Sequence, residues 1–285
     1  MDPLLTITGI FALLWGALWG SFLNVVVYRV PAGLSVVKPR SRCPNCLTPI
    51  AAWQNIPIVS FALLGGRCAK CKIAISMRYP AVEATVAALS LAVVVPWLPL
   101  ALSGQAEPWQ IAGVVLGEQL FVYALVAIAL IDADTFMIPD VLSLPLPLLG
   151  LLLAFAVGDM RGVDWRQSAA GALVAGAGLF AVQWGYAALT GREGLGTGDV
   201  KLLAGIGAFL GLTALPAILL LGALQGLAFA AIYVLASGRS AAADRGLASL
   251  RHLALPFGPF LALAAIQWLL LHRLFAPQLA RLLGG

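Results

Sequence analysis

The sequence predicts an all-α polytopic membrane protein of about eight transmembrane helices that carries a small cytoplasmic tetracysteine zinc-binding domain. Three observations lead there. Hydrophobic residues make up 61% of the 285 positions and charged ones 10%, with a mean hydropathy of +0.98, a balance that a water-exposed globular surface does not allow. Apolar runs of about 20 residues, the length that crosses a hydrocarbon core of about 30 Å, recur along the whole chain, which favours helices over short alternating barrel strands. All four cysteines fall in one polar stretch, as two C-x-x-C pairs.

The first apolar run, Pro3 to Tyr28, has no basic n-region and exceeds a signal-peptide h-region, so it reads as the first spanning helix. Arg29 to Arg78 then holds eight basic residues and no acidic one, which makes this loop cytoplasmic by the positive-inside rule. Topology and attraction to anionic lipid head groups account for that charge, and no nucleic-acid partner is expected. Pro80 to Leu102 and Gln110 to Ile131 are the next two spans. Val141 to Val157 goes out again, kinked by Pro145 and Pro147, and Gln167 to Thr190 returns. The stretch from Leu202 to Ala236 is too long for one span and is broken by Gly211, Leu212, Thr213 and Pro216, giving a short Gly-rich helix out and a longer one back. The link Ser237 to Leu255 carries Arg239, Arg245 and Arg251 against Asp244, as a cytoplasmic loop should, and Pro256 to Phe275 is the last helix. The chain thus divides into a first helix (1–28), a basic domain (29–79) and a seven-helix membrane part (80–285). No internal repeat is evident.

Cys43 and Cys46 precede Cys68 and Cys71 by 21 intervening residues. Each pair turns tightly enough to put two sulfurs on one ion, and two such turns complete a tetrahedron. A reducing cytoplasmic face disfavours disulfides, and no strand-helix context marks a redox C-x-x-C. Four sulfurs leave no open position for water, so the expected zinc is structural, a staple for about 50 residues that are too few to rely on an apolar core.

Two acidic stretches close apolar segments on the same side. One is Ile131 to Val141 (IDADTFMIPDV), the other Gly194 to Lys201 (GLGTGDVK). Two carboxylates brought together can share a proton, one acting as base and the other as acid, which is the machinery for activating water. On a continuing helix Asp132 and Asp134 point to nearly opposite sides, and the residues alone leave the choice between them open. Asp140 suits the N-cap of the fourth helix. Gly196 and Gly198 allow a close backbone approach to an extended substrate or simply turn the chain, and Lys201 is a local ion partner for Asp199 or a topological anchor. Glu83 and Glu118 lie inside spans, where an ionisable residue calls for a partner. His252 and His272 are assigned no chemistry.

These residues together resemble the bacterial type IV prepilin peptidases, membrane aspartic proteases of the GxGD kind. The resemblance covers nearly the whole chain. It rests on Gly20-Ser21-Phe22-Leu23-Asn24-Val25-Val26 with Tyr28-Arg29, both C-x-x-C pairs, Asn55-Ile56-Pro57, and Arg78-Tyr79-Pro80 with Glu83. It continues through Ile131-Asp132-Ala133-Asp134 with Pro139-Asp140, Gly196-x-Gly198-Asp199-x-Lys201-Leu202 and Pro256-Phe257-Gly258-Pro259. The resemblance implies Asp132 and Asp199 as the catalytic pair. It implies prepilin or pseudopilin precursors as substrates, cut after the glycine of a short basic leader on the cytoplasmic side of the bacterial inner membrane, in type IV pilus or type II secretion systems. It further implies S-adenosylmethionine-dependent methylation of the new N-terminus. The segment between the Tyr-Arg-x-Pro step and the first cysteine, Ala32 to Arg42, is shorter than in some relatives, and no G-x-G-x-x-G fingerprint is visible. Gly65, Gly66 and Arg67 are a guess for the methyl-donor loop.

Two rivals stand beside this reading. A proton-coupled transporter would use the same acids as a relay, with Glu118 lining a central path, and would need no zinc domain. A non-enzymatic scaffold would bind a partner through the zinc loop.

Overall fold

The computed structural model describes residues 3–191, 196–236 and 255–282. The expectations for Gly194 and Leu195, for the link from Ser237 to Ala254 and for His252 lie outside them. Among the described residues every regular element is a helix, apart from two isolated β-bridges in the cysteine loop. Six helical segments are long and apolar enough to cross a membrane: Pro3–Arg29, Arg78–Ser103, Pro108–Thr135, Asp140–Arg161, Trp165–Thr190 and Leu212–Tyr233. A shorter apolar helix covers Gly258–His272. The chain is a multi-pass membrane protein. Together with the short helix Thr197–Leu210, these account for the eight expected helices. That short helix has 14 residues, about 21 Å of rise, less than a hydrocarbon core.

Two compact units divide the chain, residues 1–127 and 128–285. In the first unit, α1 (Pro3–Arg29) packs along α3 (Arg78–Val94), with the cysteine loop and the one-and-a-half-turn α2 (Val59–Leu63) between them in sequence. The contact is close because small residues line it. A Cβ on Gly20 would lie 2.6 Å from the Cα of Glu83, and one on Gly16 would collide with Ser90 and Ala87. After α3, a 3₁₀ turn at Val95–Trp97 containing Pro96 leads into α4 (Leu98–Ser103), and α5 (Pro108–Thr135) follows.

In the second unit, Leu144 separates α6 (Asp140–Ser143) from α7 (Pro145–Arg161). Leu144 itself keeps helical dihedrals (φ −67°, ψ −31°), and Pro145, which has no N–H to donate, takes the first position of α7; the non-helical residue within α7 is Val157 (φ −145°, ψ 26°), not one beside the expected Pro145 and Pro147. A five-residue π-turn, Val174–Gly178, lies between α8 (Trp165–Leu173) and α9 (Leu179–Thr190). The centre of the unit is α10 (Thr197–Leu210), which is buried along nearly its whole length against α7 and α8. Gly171 and Gly207 meet backbone to backbone, so neither position has room for a side chain. Gly211, at φ 84°, stops α10. A 3₁₀ turn at Leu212–Ala214 then leads into α11 (Leu215–Ala236), which packs with α12 (Gly258–Leu282).

One boundary differs from expectation in a way that matters for the site. The predicted helix at Leu202 starts five residues earlier, at Thr197, so Gly198 and Asp199 belong to its first turn instead of a preceding loop. Glycine is the weakest helix former after proline, and local propensity hides this start.

Candidate functional site

Helix α5 ends at Thr135, and Phe136, at φ 54°, turns the chain away. Because the helix runs through both acids, Asp132 and Asp134 diverge: Asp132 is buried at 5% exposure and Asp134 is exposed. The Asp132 carboxylate receives the backbone N–H of Gly258, the first residue of α12, at 3.0 Å. A Cβ there would sit 2.6 Å from Asp132 Oδ2 and 3.1 Å from Ile138 Cδ1, so any other residue must displace one of these side chains. Asp199 is half-buried at the third position of α10, and its carboxylate turns back toward Gly196, the N-cap. Each carboxylate therefore lies at a helix N-terminus, one on its own helix and one on α12, where unpaired N–H groups and the helix dipole favour negative charge.

Ile138 joins the two acidic segments. Its side chain lies against Gly258 and against Gly198, where a Cβ would be 3.0 Å away. Asp132 and Asp199, 67 residues apart in sequence, are thus brought to one region of the second unit around Ile138, near enough for their charges to interact. Neighbouring carboxylates favour a shared proton.

Asp140 and Lys201 pair with each other. Lys201 Nζ donates to Asp140 Oδ1 at 2.7 Å, tying the first turn of α6 to α10 one helical turn beyond its start. Lys201 is therefore not the partner of Asp199, and the N-cap before α6 is Pro139 with Asp140 in the first turn. Neither the Gly258 donor nor the role of Ile138 was foreseen. The Pro-Phe-Gly-Pro motif was the signal for the first, while an apolar residue beside a turn carries none for the second.

The two spanning glutamates lie in the first unit and have partners of their own. Glu118 is fully buried, and its Oε2 accepts Trp97 Nε1–H at 3.1 Å. Glu83 accepts the N–H of Ile58 at 2.7 Å and bonds the Ser21 side chain. A carboxyl sealed and hydrogen-bonded in this way does not line an open path, which removes the feature that the transporter reading needed. His272 stacks on Trp268 with ring centroids 5.4 Å apart.

The four cysteines converge. The Sγ atoms of Cys43, Cys46, Cys68 and Cys71 all lie within 4.8 Å of one another, and none forms a disulfide. A repeat only faint in the sequence builds this cluster from two knuckles offset by 25 residues (68 − 43). In the first, Cys43 N–H donates to Thr48 O and Leu47 N–H to Cys43 O; in the second, Cys68 N–H donates to Ile73 O and Lys72 N–H to Cys68 O. The residue after each second cysteine has positive φ, Leu47 at 56° and Lys72 at 60°. Bridges Arg42 to Pro49 and Arg67 to Ala74 close the two turns. The Thr48 hydroxyl, 3.3 Å from Cys46 Sγ, holds that thiol down to about 6. Backbone N–H groups of Cys71 and Lys70 lower Cys68. Cys43 is instead raised, so hydrogen bonds favour the thiolate at Cys46 and Cys68, and the four sulfurs at tetrahedral-site spacing suit a soft divalent ion.

Fold and site together define a multi-pass membrane protein with two converging carboxylates and a separate four-sulfur cluster. The chain belongs to the type IV leader peptidase family: that family's model matches residues 119–231, and the bacterial peptidase A24 N-terminal domain matches residues 14–97. It is similar to a prepilin leader peptidase/N-methyltransferase of Neisseria gonorrhoeae, 37% identical over 79% of this chain and 82% of that protein. Proteins of the same description from Aeromonas hydrophila (37% identical, 90% of this chain, 89% of that protein) and from Pseudomonas aeruginosa (39%, 90% and 89%) are similar as well. No solved structure matches.

Proposed function

We propose that this protein is an aspartic endopeptidase that removes the short basic leader from type IV prepilins or pseudopilins at the cytoplasmic face of the bacterial inner membrane, and that it then methylates the new N-terminus. The placing of Asp132 and Asp199 on either side of Ile138 carries this reading. Descriptions of relatives similar over most of the chain support the substrate.

In the mechanism, the two carboxylates hold one proton and one water between them. The ionised carboxylate takes a proton from the water as its oxygen attacks the carbonyl carbon of the scissile bond, and the protonated carboxyl gives its proton to the carbonyl oxygen. As the tetrahedral intermediate collapses, the carboxyl that took the water's proton gives it to the leaving nitrogen and the C–N bond breaks, while the other carboxylate takes a proton from a hydroxyl of the intermediate, so the pair ends with the single proton it began with. Gly258 N–H, at 3.0 Å, steadies Asp132 in its ionised form. Because the two groups act on one another, the rate should follow the pair's joint titration.

Zinc is the ion proposed for Cys43, Cys46, Cys68 and Cys71, holding the 29–79 domain together without an open coordination position. S-adenosylmethionine, when bound, supplies the methyl group that the amine attacks. The Gly65–Gly66 turn is no built cradle for it: Gly65 opens to empty space, and Gly66 packs on the chain's own Phe61, where a Cβ would be 2.9 Å away. The methyl transfer therefore rests on the family relation.

Incubating detergent-purified protein with a prepilin tests the whole reading in one mass spectrum. A product shortened by its leader is expected, and with S-adenosylmethionine present a further gain of one methyl group. An intact prepilin in the presence of folded protein refutes the peptidase.

A further inference from the structure

The segment between the two cysteine knuckles has a feature that neither metal binding nor peptide hydrolysis uses. Residues 52–64 carry Trp53, Ile56, Val59 and Leu63, all exposed, Leu63 at 74% and Trp53 at 54%. In water four such side chains in 13 residues would be costly. Their depth explains them. Ile58, the residue before α2, holds a positive φ of 61°, uncommon for a β-branched residue, and donates its N–H to Glu83. Glu83 lies five residues inside a span that begins at Arg78, about 7 to 8 Å along the helix axis. The same carboxylate bonds Ser21 of α1, and Asn24 Nδ2 donates to Tyr79 O one turn nearer the span's end. The turn at Ile56–Val59 is thereby pinned below the first turn of a membrane-crossing helix. At that level the medium is the boundary between head groups and acyl chains.

The charge around this segment has one sign. Arg40, Arg42, Arg67, Lys70 and Lys72 on the flanking knuckles are exposed, and residues 29–78 contain no acid. An apolar patch with a tryptophan, rimmed by cations and held at interfacial depth, fits an anionic phospholipid surface, where each nearby cation adds about 1 kcal/mol of attraction. A basic leader peptide would be repelled from it.

We infer that residues 52–64 form a membrane-interface anchor, in which Trp53, Ile56, Val59 and Leu63 enter the head-group region of an anionic bilayer and Glu83 sets their depth. The cysteine domain then lies flat on the membrane that its two flanking helices cross, instead of standing away on a flexible stalk.

Photo-crosslinking tests this with the full-length protein in nanodiscs, using a phospholipid that carries a diazirine near its head group and mapping labelled peptides by mass spectrometry. Labelling within 52–64 is expected, stronger in phosphatidylglycerol-containing discs than in phosphatidylcholine alone. Trp53→Ser with Leu63→Ser should lower that labelling about tenfold while leaving the label on α1 unchanged, which serves as the internal control for a folded, inserted chain. Glu83→Gln, which keeps an acceptor for Ile58, should retain it. No label in 52–64 while the spans are labelled, equal label in both lipids, or label that resists the double substitution overturns the inference. So does protection of the segment by added prepilin, which would make it a protein-docking face.

Discussion

Each unit of this molecule holds a pair of carboxylates withdrawn wholly or partly from solvent, and the two pairs are handled differently. In the first unit Glu83 and Glu118 each have a private donor, Ile58 N–H for one and Trp97 Nε1–H for the other, and they lie 35 residues apart on α3 and α5 (118 − 83). In the second unit Asp132 and Asp199 sit at helix N-termini, act on one another, and leave Asp199 half open. Burial of an acid in a membrane helix therefore does not by itself mark chemistry. Two acids near one another with access to solvent are the better candidates, because neighbouring carboxylates can share a proton and hand it on, whereas Glu83 and Glu118 are each sealed away from a second acid.

The difference breaks most sharply at the dyad. Asp132→Asn or Asp199→Asn, each alone, should lower the cleavage rate by about a thousandfold or more while the purified protein elutes and melts as before. Comparable activity in either variant would erase the distinction between the units. Next comes Gly258→Ala, whose methyl group must displace Asp132 Oδ2 or Ile138. A loss of about a hundredfold in kcat with little change in KM is expected, because an acid misplaced by an ångström no longer shares the water. In the first unit, Cys71→Ser should cut the metal retained through purification about tenfold and expose residues 29–79 to limited proteolysis, as read by metal analysis and peptide mapping. Glu118→Ala should destabilise the chain by about 2 kcal/mol by leaving the Trp97 N–H without this acceptor, while Glu118→Gln restores melting and both retain cleavage. The smallest effect is expected from Lys201→Met. Its pairing with Asp140 is more than a third exposed on both sides, so less than about 1 kcal/mol is at stake in a thermal melt.

The sequence made some of this legible and hid the rest for definable reasons. The cysteine cluster was legible from residue type and spacing, and Asp199 from its place at the end of an apolar run, whereas the choice of Asp132 over Asp134 came only from the family resemblance. The start of α10 at Thr197 was hidden by two glycines, whose low helix propensity is overridden by packing of the rest of the helix against α7 and α8. The pairing of Lys201 with Asp140 spans 61 residues and leaves no mark in local spacing. The knuckle repeat is only faintly written in the sequence, as Arg42-Cys43-x-x-Cys46-x-x-x-Ile50 and Arg67-Cys68-x-x-Cys71-x-x-x-Ile75, while the positive-φ positions Leu47 and Lys72 share nothing but their backbone conformation.

The donor to Asp132 is a main-chain amide, so it has no side chain to delete and no proton to lose across the working pH range. Its position depends on how the opening turn of α12 is seated. Anything that unseats that turn would move the Asp132 carboxylate, and with it the proposed dyad, without touching either acid.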